Sequence, residues 1–184
     1  MTVHDINIPQ ERVYILDHEY KGYADQIERK SIGVYSSVMK AQAAIIRLRN
    51  MPGFVEYPDG FIIRKWKIDE DSWINGFVRH QSRSSCEFYE EQRDERRDNL
   101  SYDDRDIDIS VVIMLYYEYE EAPSPDYLHV YQDEVKFIGA YSRKEMAEAA
   151  IDRLKYKNGF IDHPDCFRMY ERTLNIDSWC EGFV

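Results

Sequence analysis

Residues 26–78 align with residues 132–184 without a gap, at a constant offset of 106. Ile32-Gly33 matches Ile138-Gly139, Tyr35-Ser36 matches Tyr141-Ser142, and Ala43-Ala44-Ile45 matches Ala149-Ala150-Ile151. Gly53-Phe54, Pro58-Asp59 and Phe61 recur as Gly159-Phe160, Pro164-Asp165 and Phe167. Asp71-Ser72-Trp73 recurs as Asp177-Ser178-Trp179, each ahead of Gly-Phe-Val. Upstream, Glu19-Tyr20 matches Glu118-Tyr119 at an offset of 99, so the second copy is seven residues longer in its first loop. Similarity at a fixed period means one supersecondary unit used twice. A loop that lengthens while its flanks hold is a surface hairpin.

Each copy predicts the same series. Residues 13–20 and 111–119 are rich in β-branched and aromatic side chains and form first strands. Residues 27–35 and 130–141 form second strands and complete a hairpin. Ser36 and Ser142 stand where a helix N-cap belongs, and Ser142 with Glu145 spells a capping box. Val38, Ala41, Ile45 and Leu48 share one helical face, as do Met146, Ala150, Ile151 and Leu154, with Lys40, Arg47 and Arg49 on the outside. Gly53 and Gly159 end the helices in a positive-φ conformation, and residues 61–68 and 167–174 are third strands. The expected fold is α+β: a tandem duplication of a β-β-α-β unit, with antiparallel sheets each covered by one helix. The boundaries read as a first repeat over 1–83, a charged linker over 84–110 with a short helix near 87–97, and a second repeat over 111–184. So small a unit buries little surface alone, so the copies are expected to pack together, either as one six-stranded sheet or face to face. Trp73 and Trp179 are expected to cover the open end of their own units, and Asp71 and Asp177 to serve in turns or caps.

The copies differ in charge. Residues 1–84 carry 12 basic and 11 acidic side chains, residues 85–110 carry 4 and 10, and residues 111–184 carry 8 and 14, which accounts for a net charge of −11. Such a balance disfavours nucleic acid, a polyanion, and suits a basic protein partner. Fifteen tyrosines fit both strand positions and a protein-binding surface.

Little in the sequence points to catalysis, a cofactor or a metal. Cys86, Cys166 and Cys180 are odd in number and have no metal-binding spacing, which fits a reducing compartment. His4, His18, His80, His129 and His163 form no HExxH pattern, and His18 aligns with Tyr117, so it is not retained between copies. Neither a phosphate-binding glycine run nor a GxSxG is present. The amino terminus has no secretory signal and no apolar stretch is long enough to span a membrane, so the expected location is the cytoplasm.

The segments Tyr35-Ser36-Ser37, Met51-Pro52-Gly53-Phe54 and Tyr57-Pro58-Asp59-Gly60-Phe61, with the W-x-x-G-F ending, resemble an uncharacterised family of small bacterial domains. The resemblance implies a bacterial origin and the repeat fold, and carries no activity. The second copy departs from it, with Asn158 for the proline and Cys166 for the glycine.

The expected function is non-enzymatic: an acidic immunity or inhibitor protein that neutralises a basic toxin such as a nuclease. Asp103, Asp104, Asp106 and Asp108 in the linker and Glu118, Glu120 and Glu121 near the second hairpin are the candidate partner-binding residues. One alternative is a regulatory or scaffolding module acting by self-association, including a homodimer, or by pairing at a sheet edge. Another is an enzyme or small-ligand binder with a site between the repeats.

Overall fold

The computed structural model describes residues 11–22, 27–74, 106–120 and 133–183. The order is β1 (Arg12–Lys21), β2 (Ile27–Tyr35), α1 (Val38–Leu48), a 3-10 turn (Pro58–Gly60) and β3 (Phe61–Lys67). The series then repeats as β4 (Val111–Glu120), β5 (Asp133–Tyr141), α2 (Lys144–Leu154), a 3-10 turn (Pro164–Cys166) and β6 (Phe167–Thr173). The strands make two antiparallel three-stranded sheets, ordered β2-β1-β3 and β5-β4-β6. The expected linker and its helix lie outside the described residues except for 106–110.

Central strands explain the architecture. Alternate side chains of a strand point to opposite faces, yet Val13 through His18 are all buried. Both faces of β1 are covered. Tyr14 and Leu16 pack beneath α1 with Ile32, Tyr35, Val38, Ala41, Ala44, Leu48 and Phe54. Val13 and Ile15 face the other way, into a cluster that also holds Trp66 and Ile68 from the first half and Val112, Met114, Ala140 and Leu174 from the second. Leu115, Tyr117 and Ile138 lie under α2. The molecule is therefore four layers, helix-sheet-sheet-helix, and of the two expected arrangements it takes the face-to-face one.

The halves also exchange their ends. After β3, Asp69 N donates to Ala140 O and Ser72 N to Ile138 O, along the free edge of β5. After β6, Asn175 N donates to Val34 O and Ser178 N to Ile32 O, along the free edge of β2. Each half thus lends the other a strap. A β-bulge between Leu16 and Asp17, repeated between Leu115 and Tyr116, sets an extra residue opposite β1 and β4 at the place where the straps dock. The straps also account for the repeated Ile-Gly. A Cβ on Gly33 would lie 2.4 Å from Ile176 O, and one on Gly139 2.6 Å from Glu70 O.

Four local expectations are corrected by this exchange. Trp73 packs into the second half's core and Trp179 against the first half's, so neither covers its own unit. The N-caps are Ser37, which accepts from Lys40 N, and Arg143, which supplies no side-chain bond; there is no capping box. Ser36 and Ser142 instead donate, through both backbone N and Oγ, to Asn175 and Asp69 of the opposite half. Those two acceptors adopt φ of 64° and 61°, a left-handed turn that Asn and Asp tolerate because their short side chains bond locally. The helices end at Leu48 and Leu154. Gly53 and Gly159, with φ of 78° and 84°, serve the turn five residues further on. Finally, Asp71 and Asp177 are not local caps but acceptors for the opposite half's tyrosine and arginine.

Candidate protein-binding site

The two sheets face each other with different chemistry at equivalent positions. In the first sheet, Asp17 and Glu19 on β1 stand beside Arg29 and Ser31 on β2 and near Arg64 on β3. Arg64 bridges Asp17 and Glu19, the latter at 2.6 Å, and Arg29 Nε donates to Glu19 at 2.8 Å. Burial raises the Asp17 carboxyl despite Arg64 and Arg29 beside it. At Glu19, burial pushes the same way but the two arginines outweigh it and hold the carboxyl below its ordinary range.

The second sheet keeps the glutamate and loses its cations. At the matching positions stand Tyr116, Glu118, Val135, Phe137 and Tyr170. Tyr116 packs on Phe137 at 5.3 Å and Tyr170 at 5.8 Å, and Phe137 meets Trp66 of the first sheet at 4.4 Å. Burial and the Asp17 charge push the Tyr116 hydroxyl up to about 12. Glu118 accepts from Tyr170 Oη at 2.9 and 3.0 Å, and among the described residues no cation bonds it. That hydrogen bond raises the Tyr170 hydroxyl.

The remaining predicted residues are spread out. Asp106 lies in the first half's territory, 2.6 Å from Lys40 Nζ at the start of α1, and the bonds from Lys40 and Ser36 lower its carboxyl. Asp108 is exposed two residues on, before β4 begins. Glu118 stands near the far end of β4, roughly 23 Å from Val111 along a strand rising about 3.3 Å per residue. Glu120 closes β4, while Asp103, Asp104 and Glu121 lie outside the described residues. The structure therefore places Asp106 and Asp108 at one end of β4 and Glu118 at the other. The pairing of Asp106 with Lys40 makes it an internal tie as well as a surface charge.

Two features escaped the sequence reading. His18 and Tyr117, though different residues, do one job: His18 Nε2 donates to Tyr57 O at 2.8 Å, and Tyr117 Oη donates to His163 O at 3.0 Å. The alignment paired the two positions, but unlike residue types gave no sign that they share an equivalent acceptor carbonyl. Arg29 and Arg64 also went unremarked, although their replacement by Val135 and Tyr170 was visible at the fixed offset. Among the described residues, no three His, Cys, Asp or Glu side chains converge as a metal site would need. No described helix is long and apolar enough to cross a membrane.

A family model described as a domain of unknown function, DUF7336, matches residues 116–183. This span runs from the second part of β4 through the second strap, so it contains the strap but not the half on which the strap docks. No curated protein and no solved structure matches the chain.

Proposed function

We propose that this chain, a tandem duplication, is a non-enzymatic protein-binding protein whose acidic second half receives a basic partner. Its specific form is an immunity or inhibitor protein of the bacterial cytoplasm, acting on a basic toxin such as a nuclease. One observation carries the reading: Glu118 retains the charge of Glu19 where both neutralising arginines have been replaced, by Val135 and Tyr170. A carboxylate that, among the described residues, bonds a phenol and no cation is open to an incoming cation, and a tyrosine beside it supplies rigid apolar area. In the first half the same charge is spent internally.

The test begins with a pull-down from the native host, then stopped-flow association with the recovered partner. A steered association slows by roughly tenfold or more when salt is raised across the physiological range. Glu118→Gln and Asp108→Asn should each slow it further, whereas Glu56→Gln, in the first half, should not. A rate indifferent to salt and to Glu118 sinks the proposal.

A second reading is strand addition at β6. Straps occupy the β2 and β5 edges, but β6 is the outer strand of its sheet and most of its side chains are exposed. Concentration-dependent self-association in place of a heterologous partner would favour it.

A further inference from the structure

His18 is fully buried on β1 within a ring of aromatic side chains. Phe61 lies 4.7 Å from it, Phe54 4.9 Å, Phe183 5.8 Å and Trp179 6.4 Å, centre to centre. Two of these, Trp179 and Phe183, belong to the second half's strap. Because a carbonyl can only accept, the bond to Tyr57 O fixes the proton on Nε2. Nδ1 is buried and, among the described residues, has no hydrogen-bond partner. The site cannot relax around the ring. A Cβ on Gly60 would lie 2.7 Å from Nε2, and Gly53 and Gly182 cross so closely that a Cβ on either meets the other's backbone.

A second proton on His18 is badly placed. The new N–H at Nδ1 meets no acceptor among the described residues, and a buried charge without a partner is costly. Two of the surrounding rings already hold a cation, since Lys30 Nζ sits 4.7 Å over Trp179 and 4.6 Å over Phe183. The ionisable groups on the surrounding elements include Asp17, Glu19 and Tyr20 on β1, Glu56, Tyr57 and Asp59 before β3, and Asp177, Cys180 and Glu181 on the strap. Asp17 is engaged by Arg64, and Asp177 by Tyr35 and Arg47. Glu19 is engaged by Arg29 and Arg64, and Glu56 by Gly53 N at 2.7 Å. Burial accordingly lowers the affinity of the closed imidazole for a proton, against a smaller opposing effect from the Tyr57 carbonyl. The second half offers an internal control. Tyr117 holds the equivalent position between Phe160 and Phe167, in the core that receives Trp73, and a phenol does not change charge near neutral pH.

We propose that His18 is a proton-operated release for the carboxy-terminal strap. Protonation opens residues 179–183 from the first half, while the strap over the Tyr117 core stays closed. The sign follows from the lowered affinity. Closure is at full strength above the free imidazole value of about 6.5, and weakens as pH falls below it, by up to about tenfold per pH unit separating the open and closed forms.

The test is hydrogen–deuterium exchange of the full chain at about pH 7.5 and about pH 5, corrected for intrinsic exchange. Residues 179–183 should lose protection at the lower pH by about tenfold or more while residues 69–74 hold theirs. His18→Tyr should remove the difference. An NMR titration of the wild-type imidazole serves if that variant does not fold, and its protonation should track the opening of residues 179–183. Equal loosening of both straps, an unchanged response in His18→Tyr, or strap opening while His18 stays neutral overturns the proposal.

Discussion

Tyr35 and Tyr141 are each buried, and the hydroxyl of each crosses to the opposite half. Tyr35 Oη donates to Asp177 at 2.6 Å, and Arg47 clamps the same carboxylate from α1; Tyr141, Asp71 and Arg153 repeat the triad at 2.6 and 2.8 Å. Burial and the adjacent carboxylate raise both phenols well above their ordinary value, so each remains a donor at any physiological pH. A hydrogen bond to a charged acceptor contributes about 1.5–3 kcal/mol. A double-mutant cycle of Tyr141→Phe with Asp71→Asn should therefore show a coupling of about 1–2 kcal/mol in urea unfolding; additive effects would mean that the bond contributes nothing. Burial raises the Asp71 carboxyl, but the bonds from Arg153 and Tyr141 outweigh this and lower it overall. Its contribution is then complete above the unfolded carboxyl value of about 3.9 and fades as pH falls through the lower folded value. The stability gap between wild type and Asp71→Asn should close only in acid. All three residue types were visible as repeats in the sequence, yet their partnership was not. In a reciprocal arrangement, a contact within a copy and the same contact between copies leave identical spacing, so a fixed offset cannot say which copy the partner belongs to.

Among the elements, the strands and helices were legible because each carries its own periodicity, and the straps were not because they have none. Residues 69–74 and 175–183 contain no regular element to propagate a pattern. What they satisfy belongs to another element: backbone carbonyls exposed on the β2 and β5 edges, which would otherwise invite pairing with another chain. The serine caps were misread for the same reason. Ser36 and Ser142 sit one residue too early to cap, and their donors are consumed by a left-handed residue from the opposite half. The sharpest trace of a strap in the sequence is its glycine. Gly182 N donates to Pro52 O at 2.9 Å, and a Cβ on Gly182 would lie 2.0 Å from Gly53 C. Backbone occupies that space, so no rotamer relieves it. Gly182→Ala should lower stability by more than about 1 kcal/mol, and limited proteolysis should then cut first within residues 179–183. Unchanged stability and cleavage would show that the strap is not seated there.

At the scale of the whole molecule, three cores and two straps bear on whether the halves can unfold separately. The inter-sheet cluster takes Val13, Ile15, Trp66 and Ile68 from one half and Val112, Met114, Ala140 and Leu174 from the other, so opening either sheet exposes both. The helix-side cores are no more independent. The one under α2 contains Trp73 from the first half, and the one under α1 is packed by Trp179 from the second. Duplication in sequence suggested two repeats that pack together, without saying whether they unfold together. The reciprocal packing predicts one cooperative unit, a property that side-chain pattern cannot encode because it resides in which surfaces meet. Leu48 and Leu154 separate the two possibilities, since each is buried under the helix of its own half and touches neither strap in the backbone bonding pattern. Either leucine to alanine should cost about 2–5 kcal/mol. If the halves were independent, calorimetry would show two transitions, with each substitution moving only one. For a single unit, Leu48→Ala and Leu154→Ala should shift the same peak, by roughly 4–20 °C at about 2–4 °C per kcal/mol for a chain of this size. The calorimetric and van't Hoff enthalpies should agree in both variants. A peak that splits in either variant would show that the exchanged straps do not join the halves into one folding unit.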